Sequence, residues 1–351
     1  MPQFLPALTA ERLKELRAQA GSPALGAGLV RGSQPPQLWV DGERAAGSGI
    51  AVTEDDLWHF GSITKSMTAT LIARLIDAGD LHWDDAVGDM LGAVAPHMNA
   101  AYRSVTFRHL LSHRSGLSTA TLSPSFFSPS RNIADLREER RSLTRRALAT
   151  SPKGPPGSTF EYANSGYVVA AAMLEAEFGE SWEDLIRTYL FKPLALQSAG
   201  FGAPGRAGAI DQPLGHSDNL PTGVRSHPVG SRLTDIAAAM GPAGSVHMSL
   251  RDILRYLTAH RDRNAFLKPQ TWTMLHTPPF GGNCAMGWGI RPDGALWHNG
   301  SNTLWYAEVL VDAAKGFVAT GVCNDGNLTR STPAVSGALA ETIRIVPEHP
   351  T

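Results

Sequence analysis

The chain has 351 residues, and 31 lysine and arginine residues face 32 aspartate and glutamate residues, for a formal net charge of −1. This length accommodates one large domain or two average ones with a sizeable buried core. Because neither basic nor acidic residues are in excess, the composition favours a small-molecule partner over nucleic acid or an anionic membrane surface.

The two cysteines, Cys284 and Cys323, are too few for a disulfide framework and lack the spacing of a metal site. We expect two free, buried thiols and no metal or other cofactor. The N-terminal stretch lacks the pattern of a signal peptide, and no apolar run reaches the ~18 residues of a membrane span. We therefore expect a cytoplasmic chain without a membrane span, or a periplasmic or secreted one if a signal peptide has been removed. The sequence gives no indication of its oligomeric state.

The first 80 residues alternate between helical and extended patterns. Apolar periodicity predicts a helix over 11–19, followed by two short strands over 24–40 around a Gly/Pro turn. A second, more apolar helix is predicted from Thr64 to Ala78, with Gly79 at its end.

The middle of the chain, from about residue 81 to residue 232, reads as helices joined by loops. It contains a Ser/Pro segment at 123–130 and a Gly/Pro-rich loop at 202–230. Phe126 and Phe127 lie in the Ser/Pro segment, which is interpreted either as a lid that selects substrates or as a solvated loop.

Strand patterns return at 307–311 and 316–323, before a closing helix predicted at 334–344. Strand-rich ends around a helical middle predict an α/β (α+β) fold, with an antiparallel sheet that is flanked by helices and built from both termini. The predicted domains are a discontinuous α/β domain, at 1–80 and 235–351, and an inserted, mostly helical domain at 81–234.

The segment from Phe60 to Lys65 holds the first candidate catalytic pair. Alone, a Ser-x-x-Lys pattern also fits a capping serine followed by a surface lysine. Three residues along a helix place Ser62 and Lys65 on one face, at a helix N-terminus that stabilises a forming alkoxide. A lysine flanked by the apolar Ile63 and Met67 can lose its charge by desolvation and serve as the base that a serine nucleophile needs.

Tyr162 and Asn164 form the second cluster, between a Pro/Gly turn and a helix predicted from Tyr167 to Phe178. Both side chains can project from this loop into a cleft. Alone, the pair also fits a buried tyrosine and a helix-capping asparagine.

His298, Gly300 and Ser301 form the third cluster, on a predicted strand whose glycine allows a substrate to approach the backbone. A histidine beside a tryptophan also fits a packed core residue. His109 and His113 have the i, i+4 spacing of a zinc pair but lack the glutamate that follows the first histidine in such motifs, so they are interpreted as packing residues.

Taken together, the ordered motifs Ser-x-x-Lys, Tyr-x-Asn and Lys/His-x-Gly resemble those of the penicillin-recognising serine hydrolases. This superfamily includes class C β-lactamases, DD-peptidases, D-aminopeptidases and the β-lactamase-like (family VIII) carboxylesterases. Stretches at 81–87, 105–117 and 192–196 are also similar to segments of the family, and the resemblance covers roughly residues 20–345.

The resemblance implies a β-lactamase/transpeptidase-like fold and a role for each site residue. Ser62 would be the nucleophile that forms an acyl-enzyme, with Lys65 and Tyr162 sharing general-base and general-acid work in an order that the sequence leaves open. Asn164 would hydrogen-bond Lys65 and the substrate, and His298 would line the cleft opposite Tyr162.

The resemblance also implies an oxyanion hole formed by the backbone amides of Ser62 and Ser301. His298 departs from most β-lactamases of the family, which carry a lysine there, and a neutral imidazole attracts a substrate carboxylate less strongly. Leu304 and Trp305 replace smaller residues, so a bulkier and more apolar cleft wall is expected beside the oxyanion hole.

Three functions remain open at this point. A carboxylesterase for small or hydrophobic acyl esters, with weak β-lactamase activity, fits these departures best. The alternatives are a DD-peptidase, D-aminopeptidase or true β-lactamase, and a non-catalytic or penicillin-sensing receptor. In the two hydrolase cases the partner is a small-molecule ester or amide.

Overall fold

A computed structural model describes residues 4–118, 135–219, 223–231 and 234–347. The described strands are β1 (Phe4–Pro6), β2 (Ala24–Arg31), β3 (Gln37–Gly42), β4 (Leu57–His59), β5 (Gly200–Phe201), β6 (Gly215–Asn219), β7 (Gly223–His227), β8 (Val246–Ser249), β9 (Gly289–Ile290), β10 (Leu296–Ser301), β11 (Tyr306–Asp312), β12 (Phe317–Cys323) and β13 (Ile345–Pro347).

The described α-helices are α1 (Ala10–Ala20), α2 (Thr64–Ala78), α3 (Val87–Leu91), α4 (Phe107–Leu111), α5 (Leu136–Leu148), α6 (Asn164–Phe178), α7 (Trp182–Ile186), α8 (Gly241–Gly244), α9 (Leu250–Asp262), α10 (Pro269–Leu275) and α11 (Leu328–Ile343). None of these helices has the length and apolar character needed to cross a bilayer.

The central sheet has six antiparallel strands in the order β3-β2-β12-β11-β10-β9. Its N-terminal strands β2 and β3 join the C-terminal strands where β2 pairs with β12, with Leu25 opposite Cys323 and Arg31 opposite Phe317. The predicted antiparallel sheet built from both termini is therefore confirmed. The division into two domains stays a prediction.

Helices cover both faces of this sheet. On one face α1 and α11 pack against β2, where Leu25 and Ala27 share a buried apolar cluster with Ala334 and Val335. On the other face α9 packs against β2, β11 and β12. Because successive strand residues point to opposite faces, β2 is buried on both sides, which explains its continuous apolar run.

Helix α2 is the central helix of the molecule, and eleven of its residues are buried on all sides, including the polar Ser66, Thr68 and Thr70. Each of these three hydroxyls donates to a backbone carbonyl, so the buried polar groups are paired. The predicted bounds Thr64 to Ala78 are confirmed, and Gly79 ends the helix in the left-handed conformation.

Two predicted boundaries differ from the structure. The closing helix α11 begins at Leu328 rather than 334, because the Asn327 side chain caps it by accepting the Thr329 amide and Pro333 lies within it. Helix α6 begins at Asn164, three residues before the predicted Tyr167.

The predicted loop at 202–230 contains a short hairpin of β6 and β7, and β5 at its edge pairs with β8. A glycine begins each of the two strands, which hid them from a pattern-based prediction. The Ser/Pro segment, with Phe126 and Phe127, lies outside the described residues, so its role as a lid stays a prediction.

Candidate active site

Ser62 lies in a 3₁₀ turn, Gly61–Ile63, directly before α2. Gly61 has a φ of +49°, and a Cβ at this position would lie 2.4 Å from the backbone nitrogen of Ser301. Only glycine fits such a conformation and such a contact. The turn that carries Ser62 is therefore pressed against the end of β10.

The Lys65 Nζ lies at a hydrogen-bond distance of 3.0 Å from Ser62 Oγ, and it donates to the carbonyl of Ala243 at 2.6 Å. Lys65 is fully buried, and desolvation holds its pKa well below the usual value for lysine. Burial therefore favours the neutral form of the amine beside the serine hydroxyl. A neutral amine at hydrogen-bond distance can accept the hydroxyl proton.

The Tyr162 hydroxyl is also hydrogen-bonded to the Ser62 side chain. Burial raises the pKa of Tyr162 to about 12, and the bond to Ser62 opposes this shift. The Lys65 Nζ lies 4.9 Å from the centroid of the Tyr162 ring. At neutral pH the phenol keeps its proton and can give it to a departing group.

His113 packs against Tyr162 and bonds the residue that follows it. Its Nδ1 accepts the backbone amide of Ala163 at 3.0 Å, and its ring packs against that of Tyr162 with the centroids 4.4 Å apart. His113 also has a φ of +59°, an uncommon conformation for a residue other than glycine. The prediction of a packing residue holds, but nothing in the sequence indicates that His113 packs against Tyr162.

His298 lies on β10 at the edge of the same cleft. Desolvation lowers its pKa to about 4, so the imidazole is neutral at pH 7. Its Nδ1 lies 2.6 Å from the carbonyl of Asn299. A carbonyl only accepts, so Nδ1 carries the proton and Nε2 is left as an acceptor.

Gly300 brings the backbone of β10 against the Ser62 turn. A Cβ on Gly300 would lie 2.0 Å from the carbonyl oxygen of Phe60 and 2.7 Å from the Ser62 nitrogen. Because the amide of Ser62 is in the first turn of a helical segment, it has no acceptor within that turn. The amides of Ser62 and Ser301 thus lie on two backbones in contact, as an oxyanion hole requires.

Asn164 is the first residue of α6 and is only partly buried. The N-cap position belongs to Ala163, which differs from the capping role considered for Asn164. No hydrogen bond joins Asn164 to Lys65 in the described part of the chain, where Lys65 instead hydrogen-bonds Ser62 and Ala243. The expected contact of Asn164 with Lys65 is thus not formed.

A cavity of about 400 Å³ opens beside Tyr162 and His298. Most of its wall is aromatic or apolar, and the lining residues of that kind are Phe160, Tyr162, Trp288, Ile290, Pro292 and Trp297. Arg291, Asn283, Asn299 and Cys284 supply its polar groups. The cavity is therefore suited to an apolar group attached to the reacting carbonyl.

Two expectations about this wall are corrected. Leu304 and Trp305 are 4% and 0% exposed, so they lie behind the cleft surface, and Trp305 stacks against His59. Cys284 is only partly buried and lines the cavity, whereas Cys323 is buried as expected. Desolvation raises the pKa of Cys284 to about 11, which keeps the thiol protonated.

The Beta-lactamase family model matches residues 9–342 of the chain. Penicillin-binding protein 4 of Amycolatopsis lactamdurans is 29% identical, over 91% of this chain and 85% of its own length. Esterase EstB of Burkholderia gladioli is 28% identical, over 64% of this chain and 62% of its own length. The chain spans less than two thirds of several curated relatives.

The fold of D-amino acid amidase from Ochrobactrum anthropi SV3 is also similar, with a TM-score of 0.75, 19% identity, and coverage of 95% of this chain and 98% of the amidase. The match to the family model extends over nearly all of the described residues and includes all three clusters of the candidate site. The chain belongs to the beta-lactamase family and is a serine hydrolase.

Proposed function

We propose that this hydrolase is a carboxylesterase that forms an acyl-enzyme on Ser62 and acts on esters with small or hydrophobic acyl groups. The observation that carries the proposal is electrostatic: the pKa shifts of the titratable side chains around Ser62 all disfavour their charged forms. Lys65 and His298 have lowered pKa values, and that of Tyr162 is raised. A neutral site favours an uncharged ester over a substrate that carries a carboxylate beside the reacting bond.

In the first step, Lys65 takes the proton of Ser62 while Ser62 Oγ attacks the ester carbonyl, since the two atoms are 3.0 Å apart. The negative charge that develops on the carbonyl oxygen is held by the amides of Ser62 and Ser301. Each such donor typically accounts for ~3 kcal/mol of the barrier in hydrolases with this device.

In the second step, Tyr162 protonates the leaving alkoxide, because its hydroxyl contacts Ser62 and its raised pKa keeps the proton available. The proton that Lys65 took from Ser62 then replaces the one that Tyr162 gave up. Water attacks the acyl-enzyme by the reverse sequence and releases the acid. The positions of the two groups and the directions of their pKa shifts support Lys65 as the base and Tyr162 as the acid, an order that the sequence left open.

Arg291 supports a second candidate, an amidase or peptidase for D-configured substrates or β-lactams. It lines the cavity, and its side chain is 49% exposed, with Asp293 3.8 Å away. An exposed guanidinium can bind a carboxylate at the far end of the cavity. The similarity to a D-amino acid amidase and to a penicillin-binding protein points in the same direction.

The test compares kcat/KM for p-nitrophenyl acetate and butyrate with that for nitrocefin and a peptide ending in D-Ala-D-Ala. Ser62→Ala should lower every activity by at least about 10³-fold, because the nucleophile is lost. Ser33→Ala, at an exposed serine in the turn after β2, is the matched control and should leave all of them unchanged.

Full activity in Ser62→Ala would show that another group is the nucleophile. If nitrocefin or the peptide is hydrolysed faster than both esters, the chain is an amidase or β-lactamase rather than an esterase. Stable acylation by penicillin without turnover, seen as a mass increase that Ser62→Ala abolishes, would instead identify a receptor.

A further inference from the structure

His59 is a fully buried histidine that ends β4, two residues before the turn that carries Ser62. Its Nδ1 accepts the backbone amide of Gly61 at 3.0 Å, and its Nε2 lies 3.1 Å from a carboxylate oxygen of Asp235. Because an amide only donates, Nδ1 is unprotonated and Nε2 carries the proton that it donates to Asp235. The neutral tautomer of His59 is thus set by its two partners.

Asn302 follows Ser301 directly, and its side-chain amide donates to the other carboxylate oxygen of Asp235 at 2.9 Å. The side-chain oxygen of Asn302 accepts the backbone amides of Leu304 and Trp305, which fixes the bend after β10. Asn302 is 2% exposed, so this contact is shielded from water as well. Asp235 itself also accepts the amide of Ile236.

One carboxylate therefore holds two backbone segments that are far apart in sequence. Through His59 it reaches the residue before Ser62, and through Asn302 it reaches the residue after Ser301. These are the segments that supply the two amides of the oxyanion hole, and their spacing must be held within about 0.5 Å for such a site to work.

We propose that Asp235 is a positioning residue which, through His59 and Asn302, sets the distance and orientation of the Ser62 and Ser301 amides. The inference rests on the proposed role of Ser62 as nucleophile. Packing alone would require these groups to be paired, but it does not require one carboxylate to join the two segments. Nor does packing require His59 to adopt the tautomer that accepts the Gly61 amide.

Asp235→Asn tests the proposal at almost constant volume. An asparagine there can still accept from Asn302 and Ile236, but its amide nitrogen then faces His59 and donates to Nε2. The His59 proton must then move to Nδ1. The N–H of Nδ1 and the amide N–H of Gly61 would face each other, and two donors cannot form a hydrogen bond. The hydrogen bond that holds the Ser62 turn is lost although every residue is still buried.

We expect kcat/KM for p-nitrophenyl butyrate to fall by about 10- to 100-fold in Asp235→Asn, somewhat less than the loss for a deleted oxyanion donor. The affinity for a boronic acid, whose adduct with Ser62 places an oxygen in the oxyanion hole, should fall by a similar factor. His216→Gln is the matched control, because the side chain of this buried histidine also bonds through both ring nitrogens, to Ala46 and Asn324 rather than to either segment.

The boronate measurement separates positioning from stability. A purely structural role would lower the melting temperature and the active fraction but leave the boronate affinity of folded enzyme unchanged, and that result would overturn the proposal. Wild-type kcat/KM in Asp235→Asn would overturn it as well. If Asp235→Asn does not fold, the proposal is tested on the wild-type protein by ¹⁵N NMR spectra of the histidine rings, which report the tautomer of His59. A His59 that is protonated on Nδ1 would overturn the proposal.

Failure of this inference can be told apart from failure of the proposed function. If Ser62→Ala is inactive and Asp235→Asn is fully active, only the positioning role is wrong. If Ser62→Ala keeps its activity, Ser62 is not the nucleophile, and the oxyanion hole proposed around it is wrong as well.

Discussion

Two regions of the molecule each bury a basic side chain completely: Lys65 in the reaction centre, and Arg140 of α5 in an ion cluster with two glutamates. The charged form is disfavoured in the first region and stabilised in the second. Arg140 donates to Glu175 and Glu183 and to the carbonyl of Ala239. Desolvation lowers the pKa of Arg140, but the two carboxylates outweigh it, so the pKa is raised. For Lys65, no carboxylate in the described part of the chain forms a pair, and desolvation prevails.

Burial alone thus does not make a reactive group; burial without a countercharge does. The two regions are also connected. Arg140 binds the carbonyl of Ala239, just before α8, and the carbonyl of Ala243 within α8 accepts from Lys65. The paired charges stabilise the segment that holds the neutral amine. The comparison can be tested by making the same substitution at both cations.

Lys65→Met should have the largest effect, a loss of at least about 10³-fold in kcat/KM for p-nitrophenyl butyrate, because the general base is removed. The melting temperature should stay equal or rise. Because desolvation lowers the pKa of Lys65 in the folded protein, burial of this amine costs free energy at neutral pH that burial of methionine does not cost. Steady-state kinetics and thermal unfolding measure both quantities, with Lys14→Arg at an exposed position as control.

A Lys65→Met variant that is strongly destabilised would show that Lys65 is charged and paired in the folded protein. That result would remove the difference between the two regions.

Arg140→Met should leave Glu175 and Glu183 without their countercharge and lower the free energy of unfolding by about 3–5 kcal/mol. The kcat/KM of the folded fraction should change only a few-fold, because Arg140 does not reach the cleft. Urea unfolding with active-site titration measures the two effects. Arg141→Met, at a partly exposed position of the same helix, should cost less than about 1 kcal/mol.

Equal stability losses in Arg140→Met and Arg141→Met would show that the buried ion cluster does not stabilise the fold.

Tyr162→Phe removes the proposed acid while keeping the ring. We expect about a 100-fold loss of kcat/KM for an ethyl ester, whose alkoxide must be protonated, and a loss below about tenfold for a p-nitrophenyl ester, whose leaving group departs unassisted. Parallel kinetics on the two esters measure the difference. A uniform loss on both would assign Tyr162 to the attack on the carbonyl rather than to leaving-group departure.

The smallest expected effect is the pH dependence of the wild-type enzyme. On the acidic limb of the profile, kcat/KM should change by about tenfold per pH unit. Because the pKa of Lys65 is lowered, the neutral base persists to a lower pH than an ordinary lysine would allow and is lost as the pH falls through that lowered value. Tyr162, with a pKa of about 12, stays protonated up to pH 10. The profile of kcat/KM from pH 5 to 10 should rise to a plateau, and a continued rise above pH 9 would indicate an ordinary lysine.

Much of the fold could be predicted because its signals are local. Helix α2 was predicted with its correct bounds, since its apolar residues recur at helical spacing and Gly79 marks the end. Strands β2, β11 and β12 were found within a residue or two, because β-branched and apolar runs lie between turn residues. The hairpin of β6 and β7 was missed because its strands are polar and rich in turn residues.

The contact between Ser62 and Lys65 was likewise predictable, because three residues on one helix turn fix it. The support of Tyr162 by His113 was not, since the two residues are 49 positions apart and belong to different segments. The same holds for Asp235, which bonds His59 and Asn302 at separations of 176 and 67 residues.

By itself, the sequence determined the secondary structure of the sheet and of α2, the presence of a serine beside a lysine, and the ordered motifs of a serine hydrolase. Only the tertiary structure decided that Lys65 is fully buried with no carboxylate partner among the described residues, that Ala243 accepts its hydrogen bond, and that His298 is neutral. The physical reason is that proton affinity depends on the solvent and charges that the fold places around a group. The spacing of side chains along a helix, by contrast, depends only on residues that are close together in the sequence.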